Sequence, residues 1–420
     1  MLKMSNPCAH RWCILGGGLL GLSLAACGAD VDVLGEQPAP GGSGAVGGVG
    51  GTGAAGAIGG GGGGTGGAAY CFVEVSAGDN DTCARQTDGS LWCSGRNLSG
   101  EVGIGTTEWY QDVPAEVTAL GLSVAGVSAG YHHTCARKTD GALWCWGEDQ
   151  DGQLGDGSTA DAPTPVEVTA LGASIAEVSA GYEHTCARKT DGTLWCWGGN
   201  EDGQLGDGTT QHSSLPAEVA GLGATVAEVS GRYQHTCARK TDGRLWCWGN
   251  NLHGQVGDGT SVDALAPIEV TALGSSVAGV AAGANHTCAI KTDGTLWCWG
   301  WNFDGQLGVG TTTGNVFSPV EVTALGSSVA EVAIGFDHTC ARMTDGTLWC
   351  WGEAGQVGDG TDVLRDSPVE IVGLGATVAG VAAGMNHTCA IKTDGTLWCW
   401  GNLLVGTTLS PTQVTAFGCP

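Results

Sequence analysis

Nineteen cysteines give this 420-residue chain its most distinctive chemistry. Fourteen of them form seven pairs at one spacing, C-x9-C: Cys83 with Cys93, Cys135 with Cys145, Cys186 with Cys196, Cys237 with Cys247, Cys288 with Cys298, Cys340 with Cys350 and Cys389 with Cys399. Zinc ligands come in closer pairs than this, which speaks against a metal site. A reduced buried pair would suit a cytosolic protein, and a disulfide an exported one. Six histidines precede the first cysteine of a pair, at His133, His184, His235, His286, His338 and His387, and Asp81 takes that place in the first copy. A histidine ring could bind metal. One structural hydrogen bond per histidine is the simpler role, and it tolerates Asp81. Acidic turns such as Asp149-Gln150-Asp151-Gly152 and Asp202-Gly203 have oxygen donors that suit calcium, but the full alternating pattern is missing. Almost every Asp, Glu and His recurs by repeat, whereas an active site needs unique residues that converge. No G-x-S-x-G nucleophile motif is present. The sequence therefore assigns no catalytic residue, no metal and no cofactor.

These residues sit in a stretch that returns every 49 to 52 residues, of which His133–Gly147, HTCARKTDGALWCWG, is typical. A period of that length signals a repeat architecture. Thr139-Asp140-Gly141 lies between two runs rich in β-branched, aromatic and apolar residues. It suits a three-residue hairpin loop with Gly in the left-handed position. That loop sets Arg137 opposite Leu143, Ala136 opposite Trp144 and Cys135 opposite Cys145. A two-residue loop would slip the register by one and send the side chains to opposite faces. Directly opposed cysteines on neighbouring strands are close enough to bridge.

The N-terminus decides between bridge and thiol. Lys3 and Arg11 precede an apolar run, Ile14–Leu24, that is too short to span a bilayer. The run ends in Leu24-Ala25-Ala26-Cys27, which resembles a bacterial lipoprotein signal. The resemblance implies cleavage after residue 26, lipid on Cys27 and, with Gly28 following, sorting to the outer membrane and possible exposure at the cell surface. Residues 1–26 are thus expected to be a signal peptide. Residues 27–69 form a Gly-rich tether that cannot bury enough apolar surface to fold, with an end-to-end distance of roughly 35 Å. Export favours the oxidised form of each cysteine pair.

Residues 70–420 hold the repeats. Each reads VAEVSAG, hairpin, DGQLGDG, variable loop, PVEVTALG, with no sustained helical period. Four short strands per repeat, assigned around Cys186 as 176–180, 184–190, 193–197 and 165–170, predict an all-β, seven-bladed propeller of antiparallel blades. GQLGDG after Trp-Gly, with AG-x-x-HT before the hairpin, resembles the regulator of chromosome condensation repeat. The resemblance runs over 71–420. It implies a seven-bladed propeller whose Gly-Gln-Leu-Gly turn is structural, and cysteine pairs in the hairpin resemble secreted bacterial members. Members include a nuclear exchange factor and a secreted β-lactamase inhibitor, so fold does not dictate function. The paired tryptophans, such as Trp144 and Trp146, are expected to pack between blades rather than to platform sugars.

Of the five other cysteines, Cys8 and Cys13 are expected to leave with the signal and Cys27 to take lipid, so Cys71 and Cys419 remain. Aligned with the internal junction TALGSSVAEV at 323–332, Cys419 falls on Ser327 and Cys71 on Ser328. This predicts a ring closed by N- and C-terminal strands, with the last strand completing the first blade and a Cys71–Cys419 bridge sealing it.

Loss of Lys3 and Arg11 with the signal takes the formal charge from −26 to −28. So acidic a chain repels nucleic acid and anionic membrane surfaces. In an up-and-down blade the first and third connections share one face and the hairpin turn lies on the other. The Thr-Asp-Gly turns are uniform. The other face varies and carries Trp109, Tyr110, Tyr131, Tyr182, Tyr233, Phe303, Phe317 and Phe336, the expected binding face. The sequence reads as a monomeric, lipid-anchored envelope protein that binds a protein or glycan without catalysis. The alternatives are a propeller lyase or hydrolase acting on polysaccharide, and a purely structural envelope lipoprotein.

Overall fold

The computed structural model describes residues 72–403 and 406–415. Cys27, Cys71, Cys419, the signal and the tether lie outside these residues. The described chain forms seven four-stranded antiparallel sheets, each built from four consecutive strands. They are numbered blades 1 to 7 from the N-terminus. Blade 3 shows the pattern: Ile175–Ala180, His184–Lys189, Leu194–Gly198 and Ser213–Glu218, in that order across the sheet. The first strand of every blade packs beside the first strands of both neighbours, blade 1 against blade 7 included. This is the seven-bladed β-propeller that the repeats predict, with first strands around the axis and fourth strands outermost.

Sequence explains the layering. The first strand of blade 3, IAEVSA, buries Ile175 and Val178, whereas its fourth, SSLPAE, is largely exposed. Each fourth strand also carries a proline: Pro114, Pro165, Pro216, Pro267, Pro319, Pro368 and Pro411. Proline has no N–H to offer another chain, so the outer edges resist further strand pairing.

The hairpin adopts the expected register. Cys186 lies opposite Cys196, Ala187 opposite Trp195 and Arg188 opposite Leu194. The Lys189 amide donates to Thr193 O at 2.9 Å, Gly192 takes φ 85°, and Asp191 Oδ1 accepts the Thr193 amide. Gly is needed at that left-handed position, and Asp closes the turn through its side chain. Every pair is a disulfide within its own hairpin. Cys83 is bonded to Cys93, Cys135 to Cys145, Cys186 to Cys196 and Cys237 to Cys247. Cys288 is bonded to Cys298, Cys340 to Cys350 and Cys389 to Cys399. The Cα atoms of each pair stand 4.1 Å apart, as direct opposition across the two strands requires.

Two expectations need correction. The strand assigned at 165–170 to the unit around Cys186 is Ala162–Glu167, and it pairs with Leu143–Gly147 in blade 2. The fourth strand therefore follows its hairpin instead of preceding it. For the same reason the C-terminal strand, Gly406–Gln413, completes blade 7, and blade 1 has its own fourth strand, Tyr110–Glu116. Among the described residues the ring closes by packing of blade 1 on blade 7, each with its own four strands. The long loop after each third strand returns to its own sheet because its Gly-rich turn reverses the chain, a connection that repeat periodicity alone does not orient.

Candidate functional site

The seams between blades position everything at the ring axis. At the seam of blades 3 and 4, Trp248 is fully buried and its Nε1 donates to Gln204 O at 2.9 Å. Thr236 Oγ1 donates to the same carbonyl at 3.0 Å. That leaves the hydroxyl oxygen to accept from His184 Nε2 at 2.9 Å, which fixes the proton of this histidine on Nε2. The Nδ1 edge of the ring lies against Gly181, where a Cβ would stand 2.6 Å from it. All six histidines make the same link to a threonine of the next blade: Thr185, Thr236, Thr287, Thr339, Thr388 and Thr82 in turn. They face threonines one by one and share no common centre. Burial holds them neutral, with His235 pushed down to about 3 and His184 to about 4.

These seams bring the connections between first and second strands to the axis. Each connection presents one residue there: Asp79, Tyr131, Tyr182, Tyr233, Ala284, Phe336 and Met385. The Tyr131 amide donates to Gly181 O, the Tyr182 amide to Tyr233 O, and the Met385 amide to Gly78 O. Blade thus hands to blade around the mouth. The Tyr131 and Tyr182 rings lie 4.2 Å apart, and those of Tyr182 and Tyr233 4.6 Å apart. Blade 5 contributes only Ala284, so Tyr233 reaches past it to meet Phe336 edge-on at 5.8 Å. Burial and nearby carboxylates raise the Tyr131 phenol to about 12 and raise that of Tyr182 as well, so both stay neutral.

Charge completes the mouth. Arg232 stands where blade 3 has Gly181, and its Nη2 donates across the axis to Ala77 O at 3.3 Å. Asp79 is 4% exposed and lines the same pocket. Its Oδ2 accepts from Asn80, while its Oδ1 has no hydrogen-bond partner. Burial pushes its carboxyl up. Around this mouth, the loops after the third strands bring more carboxylates. Glu183 is pushed up to about 7 by burial and by Asp151 and Glu201. Asp337 is pushed up to about 7 by burial and by Asp304 and Glu353, although Gln306 Nε2 donates to it at 3.2 Å.

Of the eight aromatics expected on the binding face, the structure brings Tyr131, Tyr182, Tyr233 and Phe336 together. Trp109 and Tyr110 form a separate pair, ring centroids 6.0 Å apart, with Trp109 67% exposed. Phe303 stacks on Trp301, which meets His253 edge-on. Tyr110 and Phe317 lie in fourth strands and not in connections. Sequence reasoning missed Asp79, Arg232 and Met385. A comparison of the residue after each AG would have found Asp79 and Met385, and the arginine replacing a glycine marks Arg232. The acidic turns are occupied by their own backbone: Asp149 Oδ1 accepts the Leu154 amide, and Asp156 Oδ1 the Ser158 amide. Among the described residues no three of His, Cys, Asp and Glu are placed to hold a metal ion.

The fold and the aromatic mouth at its axis define a propeller that presents loops from all blades on one face. The chain belongs to the RCC1-like domain family, whose model matches residues 59–341, and the regulator of chromosome condensation (RCC1) repeat matches 329–356 and 378–402. It is 34% identical over 298 residues to the ultraviolet-B receptor UVR8 of Arabidopsis thaliana, covering 69% of this chain and 67% of that protein. It is 31% identical over 304 residues to the E3 ubiquitin-protein ligase HERC2 of Homo sapiens, covering 70% of this chain and only 6% of the ligase. Among solved structures, yeast RCC1 (Prp20), crystallised with Kap60, superposes with a TM-score of 0.69 at 21% identity, over 83% of this chain and 85% of that one. Human WBSCR16 gives 0.68 at 22% identity, over 75% and 86%.

Proposed function

We propose that this protein is a non-catalytic binding protein whose loop face engages a protein partner, with the axial mouth as the centre of contact. The observation that carries this reading is the convergence of Tyr131, Tyr182, Tyr233 and Phe336 from four blades onto one mouth. Their connections vary between repeats, while the Thr-Asp-Gly turns on the opposite face do not. Rigid aromatics clustered at the centre of a surface are what binding hot spots are made of. The family context agrees, since the yeast relative was crystallised in complex with another protein. The lipoprotein-like Leu24-Ala25-Ala26-Cys27 supports a lipid anchor in the bacterial envelope.

The test is capture of partners from envelope and culture-medium extracts by cross-linking. A saturable partner is expected on the wild type, retained by Asp191→Asn and lost by the triple variant Tyr131→Ala, Tyr182→Ala, Tyr233→Ala. Retention by the triple variant, or turnover of a polysaccharide by the wild type, would overturn the reading.

A further inference from the structure

The two faces of the ring differ in charge. The connections between first and second strands, and between third and fourth strands, carry nineteen Asp and Glu residues and no Lys or Arg. They belong to one face: Gln306 of a third connection reaches Asp337 of a first, and the Trp301 amide donates to Asn285 O. The opposite face carries charges of both signs. Its turns and their flanks hold seven aspartates and the fourth-strand ends Glu116, Glu167, Glu218, Glu269, Glu321 and Glu370, but also Arg244 and the flanking Lys138, Lys189, Lys240, Lys291 and Lys392, the lysines lying over the ring of a strand tryptophan.

The loop face also lacks cations brought in from its strands, apart from three arginines already engaged. Arg96 lies between Asp79 and Glu101, Arg365 pairs with Asp359, and Arg232 is turned inward to Ala77 O. Like charges crowd one another there, as the raised carboxyls of Glu183 and Asp337 register. The independent pointer to a ligand is Asp79. Its Oδ2 accepts from Asn80 and faces Arg96, while its Oδ1 is buried without a hydrogen-bond partner at a mouth shared with Arg232 and with aromatic rings whose faces attract cations.

We propose that the partner of the loop face is a cationic protein segment, rich in Lys and Arg, that lies over the acidic rim and sets one cationic side chain on the outer side of the mouth, against the Tyr131 and Tyr182 rings. This rests on the reading that the loop face binds protein. Carboxylates such as Glu183, Asp337 and Glu353 steer and register the segment, and the mouth supplies a desolvated end point.

The test is binding of labelled nona-arginine to the purified full chain, with nona-glutamate and a neutral Gly-Ser peptide as controls. Nona-arginine alone is expected to bind, with affinity falling at least about tenfold between roughly 50 and 300 mM salt. Neutralising the rim (Glu183→Gln, Asp337→Asn, Glu353→Gln) or replacing Tyr182→Leu should weaken it by about tenfold. Neutralising three turn-face aspartates (Asp191→Asn, Asp293→Asn, Asp394→Asn) should leave it unchanged. Equal loss in both charge variants would show a net-charge effect and overturn the proposal, as would no binding. A captured partner that depends on the three tyrosines but binds independently of salt and of the rim would overturn the cationic assignment while leaving the binding function standing.

Discussion

The seam between blades 3 and 4 and the seam between blades 7 and 1 are made from the same strands and held by different bonds. The first has both locks, Trp248 on Gln204 O and His184 on Thr236. The second keeps the histidine lock, His387 to Thr82 at 2.8 Å, but Ser94 stands where the buried tryptophan would be. Blade 7 also lacks the Gly-Gln turn that offers the acceptor carbonyl. What remains is a cleft lined by Ser94, Pro114, His387, Leu403 and Thr412. On its other side blade 1 shows the converse. Trp146 donates to Glu101 O at 2.7 Å, but Asp81 replaces the histidine. Each seam of blade 1 thus lacks one lock, and none lacks both. The two locks back each other up, and the ring is thinnest where the chain begins and ends.

The largest expected effect sits at the thin seam. The Phe72 amide donates to Gly395 O at 3.2 Å and the Val414 amide to Leu397 O at 2.9 Å, so both ends of the described propeller are tied to the hairpin of blade 7. At an internal junction the equivalent residues are Val322 and Val329, and Cys419 and Cys71 correspond to the adjacent Ser327 and Ser328. We propose a Cys71–Cys419 bridge as the clasp that the missing tryptophan makes useful. Non-reduced peptide mapping should recover the two joined. The double change to Ser should cost on the order of 5 kcal/mol in the chain-entropy account. Free thiols in the wild type would remove the clasp from the comparison.

At a sealed seam, Trp248→Ala leaves an indole-sized void and removes one of the two donors to Gln204 O. Denaturant unfolding should show a loss of about 3–5 kcal/mol, whereas Ser94→Ala in the open seam should stay within about 0.5 kcal/mol. A similar cost at both would mean that the open cleft is as tightly organised as the sealed seams.

The hairpins were legible because register follows from one turn: Gly192 and Asp191 allow a single pairing, and the cysteines then face each other. The blade count followed from the period. Strand membership did not, because Ala162–Glu167 alternates in the same way whichever sheet it joins, and only the loop's return decides. The aromatic positions were legible one by one, but their convergence depends on ring geometry. Tyr233 meets Phe336 across a whole blade because residue 284 is small. Asp79 and Arg232 were hidden for a related reason: they lie 153 residues apart and meet only across the axis.

Titration separates the two locks. An unfolded histidine titrates near pH 6.5, while His235 in the ring is held down to about 3. Between these values the unfolded chain binds a proton that the folded chain refuses. The stability due to His235 is therefore complete above roughly pH 6.5 and falls as pH drops toward 3. At pH 5 the loss is about 2 kcal/mol for one histidine. His235→Gln should consequently be most damaging at pH 8, with its deficit against wild type narrowing by about 2 kcal/mol at pH 5. A deficit independent of pH would mean that His235 accepts protons in the folded ring.

The smallest effect comes from restoring the lock that blade 1 lacks. Asp81 is buried with Oδ2 unpartnered, and burial, Glu101 and Asp79 all raise its carboxyl. A raised carboxyl is protonated in the folded chain while the unfolded one is already ionised, so the contribution of Asp81 to stability declines as pH rises. Across the seam Thr134 Oγ1 donates to Glu101 O at 3.0 Å, as Thr236 does to Gln204 O, and its oxygen is placed to accept from an imidazole. Gly78 occupies the position that Gly181 holds beside His184, so the ring has its usual neighbour. Asp81→His should therefore gain about 1 kcal/mol at pH 8, read as a higher unfolding midpoint. The gain should shrink as pH falls, because the new histidine refuses a proton like the other six while the raised carboxyl of Asp81 costs less as it takes up its proton. A lower midpoint at pH 8 would mean that Asp81 is kept for the acidic mouth beside Asp79, and that blade 1 departs from its neighbours to build that mouth at the expense of the seam.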